Sequence, residues 1–140
     1  MKNFSIKITF WLLVVDFIAI LMGMFVPGVR TKLSQFAGPI IVFSEWAIFL
    51  LLGTILIILT FKRKVEGPLK KFLLVTGISA VGFVVCVLLH NLISGLLSTI
   101  LNKEIEEPVF FLLAVFGCPV GFLVGAIGSI VLFFRQRNNF

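Results

Sequence analysis

The chain has 140 residues, 60% of them hydrophobic and 13% charged, with a mean hydropathy of +1.21 and a net charge of +6. That length suits one domain, and so apolar a chain cannot cover a water-facing surface, which excludes a soluble domain and makes lipid the solvent. The basic residues stand in short runs between apolar stretches, so the positive charge is matched to anionic lipid headgroups and not to nucleic acid.

In chain order, the first apolar stretch covers 8–27. Lys2 and Lys7 precede it as in a signal peptide. Asp16 interrupts the run and no small-x-small cleavage site follows it, so it is read as a retained first span. Three more stretches, 39–61, 72–90 and 109–134, also reach the roughly 20 helical residues that cross a bilayer. Pro27 closes the first. Pro39, Pro68 and Pro108 stand at or just before the starts of the others, where a missing N–H costs nothing. Pro119 lies inside the fourth and is expected to kink it or to free a carbonyl.

Beyond the third span, residues 91–102 keep a helical period. Leu92, Ile93, Leu96, Leu97, Ile100 and Leu101 fall on one face; Asn91, Ser94, Gly95, Ser98, Thr99 and Asn102 fill the other. One helix over 72–102 would be about 46 Å long, more than the hydrocarbon core. It must therefore project from the membrane, or bend near Asn91–Gly95 and lie on the outer interface as a short amphipathic helix. The expected fold is all-α: an integral membrane four-helix bundle forming a single tetraspan domain over 1–140.

Nine basic residues (Lys2, Lys7, Lys62, Arg63, Lys64, Lys70, Lys71, Arg135, Arg137) fall on one side of these spans and three (Arg30, Lys32, Lys103) on the other. The bias predicts both termini in the cytoplasm, in a plasma or inner membrane. Lys62, Arg63, Lys64, Lys70 and Lys71 are the expected headgroup contacts.

Helices in lipid associate through small residues. At about 100° per residue, Ala114, Gly117, Gly121, Gly125 and Gly128 share one face of the fourth span, and Gly82 shares a face of the third with Ser79, Cys86 and His90. Asp16 falls in a similar stripe with Thr9, Ala19 and Gly23, pointing into the bundle. An ionised carboxylate at that depth costs at least ~2.5 kcal/mol. Asp16 is thus either a neutral hydrogen-bonding link between helices or a proton or cation site, with Thr54 and Ser79 as candidate partners.

A second polar group gathers at the outer side: Glu45, His90, Asn91, Glu104, Glu106 and Glu107. Imidazole and carboxylates have the chemistry for proton relay or a divalent metal, though their spacing matches no ligand motif and no metal is expected. The plainer reading is that the acids before Pro108 complement the positive end of a helix, and that His90 bonds Glu45 or a carbonyl. Cys86 and Cys118 make neither a disulfide framework nor a metal motif. With no catalytic or nucleotide-binding motif, neither enzymatic activity nor a cofactor is expected.

Four spans in little over 100 residues, with Asp16 inside the first and Gly117, Gly121 and Gly125 in the fourth, resemble the plan of the small multidrug resistance transporters. That resemblance implies an acid alternating between protons and cationic drugs, and a glycine-rich span that dimerises. The chain departs from the family in having Asp for Glu, a one-sided charge bias and no tyrosine. The functional expectation is a non-enzymatic membrane protein acting through helix packing, as a partner subunit of another membrane protein or as a homo-oligomer. The alternative is a small proton- or cation-coupled transporter or channel with Asp16 as its titrating site.

Overall fold

The computed structural model of the chain describes residues 4–26 and 28–138, without the side chains of 24, 29–39, 41–42 and 136–138. Among them every regular element is a helix: α1 (Phe4–Phe25), α2 (Val29–Lys62), α3 (Gly67–Leu101), α4 (Pro108–Leu112) and α5 (Cys118–Asn138), with a π-helical turn over Leu113–Gly117 joining α4 to α5. Four stretches are long and apolar enough to cross a membrane: Phe4–Gly23, Phe43–Lys62, Gly67–Leu101 and Pro108–Arg135. The chain is an all-helical integral membrane protein with the make-up of a four-helix bundle.

Two prolines open helices as their chemistry suggests. Pro68 stands in the first turn of α3 and Pro108 in that of α4, where the absent N–H has no helical partner to lose. Gly67, at φ 70°, takes the left-handed conformation that admits the chain into α3. Pro27 lies outside the described residues. Two boundaries differ from the sequence expectation. α2 begins at Val29, well before Pro39, which therefore lies inside the helix and not at its start. The stretch ahead of Pro39 contains no breaker until Gly38, so the turn at Gly28 (φ 93°) sets the helix start. α3 runs unbroken through Asn91–Gly95 to Leu101, where Asn102 at φ 51° closes it. Its 35 residues make a rod of about 52 Å, so the amphipathic extension continues the third span and is not a separate element.

Pro119, in the interior of the fourth span, comes just after the π turn. The N–H of Cys118 bonds the carbonyl of Leu113, five residues back. A proline ring at 119 would press on the carbonyl four residues earlier in a regular α-helix; the wider turn gives it room, and such turns insert one residue into the helical phase.

α3 is the central helix, packed against α2 on one side and α5 on the other. Both seams are closed by glycine. Between α2 and α3, a Cβ placed on Gly53 would stand 3.2 Å from the carbonyl oxygen of Gly77, and one on Gly77 would stand 3.1 Å from that of Gly53. Between α3 and α5, a Cβ on Gly125 would meet the Thr76 backbone nitrogen at 2.7 Å and the Phe72 carbonyl oxygen at 2.9 Å. Gly128 lies against the Phe72 ring, Gly121 against the Ser79 hydroxyl, and Gly82 against the Cys118 sulfur. Such close backbone approach is what holds helices together when the solvent is as apolar as the side chains.

The interior is phenylalanine. Phe10, Phe17, Phe49, Phe83, Phe122 and Phe133 are all buried. Phe17 stacks on Phe122 at 4.1 Å between centroids, and Phe10 meets Phe133 edge-on at 5.5 Å. Several hydroxyls and an amide are satisfied within their own helices. Thr54, Thr60, Thr76, Asn91 and Thr99 each donate to the carbonyl four residues back. The Ser129 hydroxyl is fully buried without a hydrogen-bond partner.

Gly125→Ala is expected to destabilise by about 1–3 kcal/mol, because its methyl group meets backbone that has no side chain to yield. Gly95→Ala, with nothing within 4 Å, should be neutral or stabilising by roughly 0.5–1 kcal/mol. Thermal melts of the two variants in detergent test this; equal melting temperatures would show that the α3–α5 seam is looser than described.

Candidate functional site

Asp16 sits partly buried on α1, with Oδ2 enclosed and without a hydrogen-bond partner. The group within electrostatic reach of it is Glu45 of α2. α1 and α2 pack together, so two acids from the first two spans come near each other inside the bundle. The structure does not bring Thr54 or Ser79 to Asp16. The Thr54 hydroxyl donates to Leu50 of its own helix at 2.8 Å, and Ser79 lies over Gly121 on the α3–α5 side. Glu45, placed by its sequence depth with the outer cluster, lies within electrostatic reach of Asp16.

At the far end of α3 the outer cluster resolves into a strap. His90, Ser94 and Ser98 recur every fourth residue, so they form a row along one face of the helix. The His90 Nδ1–H donates to the Glu107 carbonyl at 2.7 Å; a carbonyl only accepts, which fixes the proton on Nδ1. Ser94 Oγ accepts from the Glu107 N–H at 2.9 Å, and Ser98 Oγ accepts from the Ile105 N–H at 3.0 Å. The polar face of the α3 extension therefore binds the returning chain. Glu107 is itself the N-cap of α4, its carboxylate accepting from Val109 and Phe110 at 2.7 and 2.9 Å. This is the plain reading of an acid ahead of Pro108. The Phe111 ring completes the contact, 5.3 Å from the His90 ring.

The remaining members of that cluster stand apart. The Asn91 amide bonds Val87 on its own helix, and Glu104 and Glu106 are exposed. Among the described residues no three His, Cys, Asp or Glu side chains form a group able to hold a metal. At the opposite end, Lys62, Arg63, Lys64 and Lys71 are exposed around the α2–α3 turn and Lys70 is half-buried, its ammonium 5.3 Å above the Phe61 ring. Lys7 of α1 lies 5.5 Å above the Phe133 ring, so cations and aromatic rings alternate at this end.

Three arrangements escaped the sequence reading. Gly53 and Gly77 close the α2–α3 seam, although each is a lone glycine among aliphatic residues. Cys86 and Cys118 lie near each other where α3 meets α5; the signal was present in the shared face of Gly82 and Cys86, since Gly82 is where the Cys118 sulfur rests. The third is an apolar cavity of about 110 Å³ beside the π turn, which no pattern in the sequence marks. No family model, curated protein or solved structure matches the chain.

If the strap holds the 102–107 loop against α3, Ser94→Ala leaves the Glu107 N–H without its acceptor, at a cost of about 1–3 kcal/mol. Amide exchange at Ile105 and Glu107 should accelerate roughly tenfold or more, while exchange in α1 stays unchanged. Unaltered protection of those two amides would mean that the loop is held by something other than the row of side chains.

Proposed function

We propose that the protein works as a non-enzymatic tetraspan membrane protein through its lipid-facing helix surfaces, as an accessory subunit of another membrane protein or as a homo-oligomer. The observation that carries this reading is the apolar, ring-rich interior. Among the described residues the core is built mainly of the buried rings of Phe10, Phe17, Phe49, Phe83, Phe122 and Phe133, with Leu13, Leu56 and Leu73, which offers little polar lining for a path through a single chain. Gly121, Gly125 and Gly128 are occupied by α3, so the surface offered to a partner is one of large aliphatic and aromatic side chains. Lipids with anionic headgroups meet the basic end; nucleic acid has no place in this reading.

A test is purification from the native membrane in mild detergent, followed by mass measurement. The expected particle is an assembly heavier than the 15.6 kDa chain after the detergent is subtracted. A stable monomer with no co-purifying protein would sink the proposal.

The approach of Asp16 to Glu45 favours a second reading, coupled movement of protons or cations by an assembly. The variant Asp16→Asn separates the two. As a packing residue it should be nearly silent, since hydrogen bonds between membrane helices average only about 0.6 kcal/mol. Loss of proton flux into vesicles by a variant of unchanged melting temperature would favour the transport reading.

The Lys and Arg distribution supports an orientation with both termini, and the Lys62–Lys71 turn, in the cytoplasm. On a background lacking Cys86 and Cys118, a cysteine replacing Thr99 should react with an impermeant maleimide from outside, and one replacing Glu66 should not. The reverse pattern would overturn this orientation, and reaction of both would point to dual insertion.

A further inference from the structure

The seams of the bundle are not alike. Glycine closes α2 on α3 and α3 on α5, whereas α1 and α5 keep their backbones farther apart and meet through rings. Phe10 against Phe133 fills one part of that wide seam, and Phe17 against Phe122 fills the next. Past Phe17 the filling stops. A cavity of about 110 Å³ opens between the later half of α1 and the π turn, walled by Phe17, Leu21, Phe25, Ala114, Val115 and Pro119 among others, all apolar. The π turn and Pro119 shape one wall, where Ala114, 2% exposed, is its smallest residue. Phe25 is 73% exposed, so the cavity reaches the protein surface there.

Water gains nothing in this space, because a buried water needs two to four polar partners and the wall supplies almost none. An empty void forfeits the dispersion contacts of its lining. For scale, an engineered apolar cavity of about 150 Å³ admits a benzene ring. Within membrane-spanning helices, the flexible apolar matter at hand is the hydrocarbon of the bilayer, and a narrow opening beside α1 admits an unbranched chain more readily than a side chain anchored to a helix. We propose that this cavity is a lipid site that takes the end of a phospholipid acyl chain, entering between α1 and the π turn. The lipid then forms part of the α1–α5 seam and does for it what glycine does for the other two.

The probe is a phosphatidylcholine carrying a diazirine near the end of one acyl chain, mixed as a minor component into phosphatidylcholine nanodiscs holding the full chain. After photolysis, mass spectrometry should find label concentrated on residues 17–25 and 113–119. Exposed positions such as Leu123 and Ile127 serve as the background. Ala114→Phe fills the cavity from the α5 side and Leu21→Trp from the α1 side. Either should reduce the focused label by about tenfold, the effect of withholding about two methylenes from burial, with background label unchanged. Ala114 is deeply buried, so if Ala114→Phe fails to fold, the half-buried Leu21 carries the test. Label spread in proportion to exposure would overturn the proposal, as would focused label that survives Leu21→Trp. A third result would also overturn it: absence of focused label in wild type together with loss of oligomer mass in Leu21→Trp, which would give the cavity to a second copy of the chain.

Discussion

The backbone of α3 comes within contact distance of backbone on both sides, and the rest of the bundle is arranged around that fact. Gly77 meets Gly53 of α2, while Thr76, one residue earlier and about 100° around the helix, meets Gly125 of α5. A helix held on two faces at such distances cannot slide or rotate to relieve a clash, so its neighbours inherit a fixed register from it. α1 is excluded from this arrangement. It packs on α2, meets α5 through phenylalanine rings, and borders the apolar cavity beside the π turn. The looseness at one side of the bundle follows from the tightness at the other.

Much of this was legible in the residues. Run lengths located four spans, and Pro68 and Pro108 marked two of the helix starts, because a span must satisfy its whole backbone internally and helix is the way a short segment does so. The stripe in the fourth span pointed to Gly121, Gly125 and Gly128 as a packing face, and in the structure the three lie against Ser79, Thr76 and Phe72 of α3. Gly117 is different. On a uniform helical wheel it belongs to the stripe, yet in the structure it is exposed and touches only Leu113 of its own turn. The π turn adds a residue to the phase, so everything before Cys118 is rotated relative to everything after it. A wheel drawn at 100° cannot carry a stripe across that break. Pro119 was the available clue, and it predicted the disturbance but not its phase.

The polar groups were legible as residues and not as pairs. Sequence depth put Glu45 with His90 and Asp16 with Thr54 and Ser79. Depth, however, orders positions along the membrane normal and says nothing about which helices are adjacent. Once α2 lies beside α1, Glu45 comes within electrostatic reach of Asp16. Once α3 continues straight, His90, Ser94 and Ser98 face the loop that folds back along them. Thr54, exposed on α2, returns its proton to the carbonyl four residues back and so needs no neighbouring acceptor.

That last habit bears on how the protein is made. Thr54, Thr60, Thr76, Asn91 and Thr99 all close their hydrogen bonds inside one helix, so each arrives in the bilayer already neutralised, whether or not any other helix is present. Insertion can then proceed one hairpin at a time, with assembly as a separate event driven by shape. Among the described residues Asp16 and Ser129 differ, each carrying a buried side-chain oxygen without a hydrogen-bond partner. They stand on α1 and α5, so on those two helices a polar oxygen enters the bilayer without a partner from its own backbone.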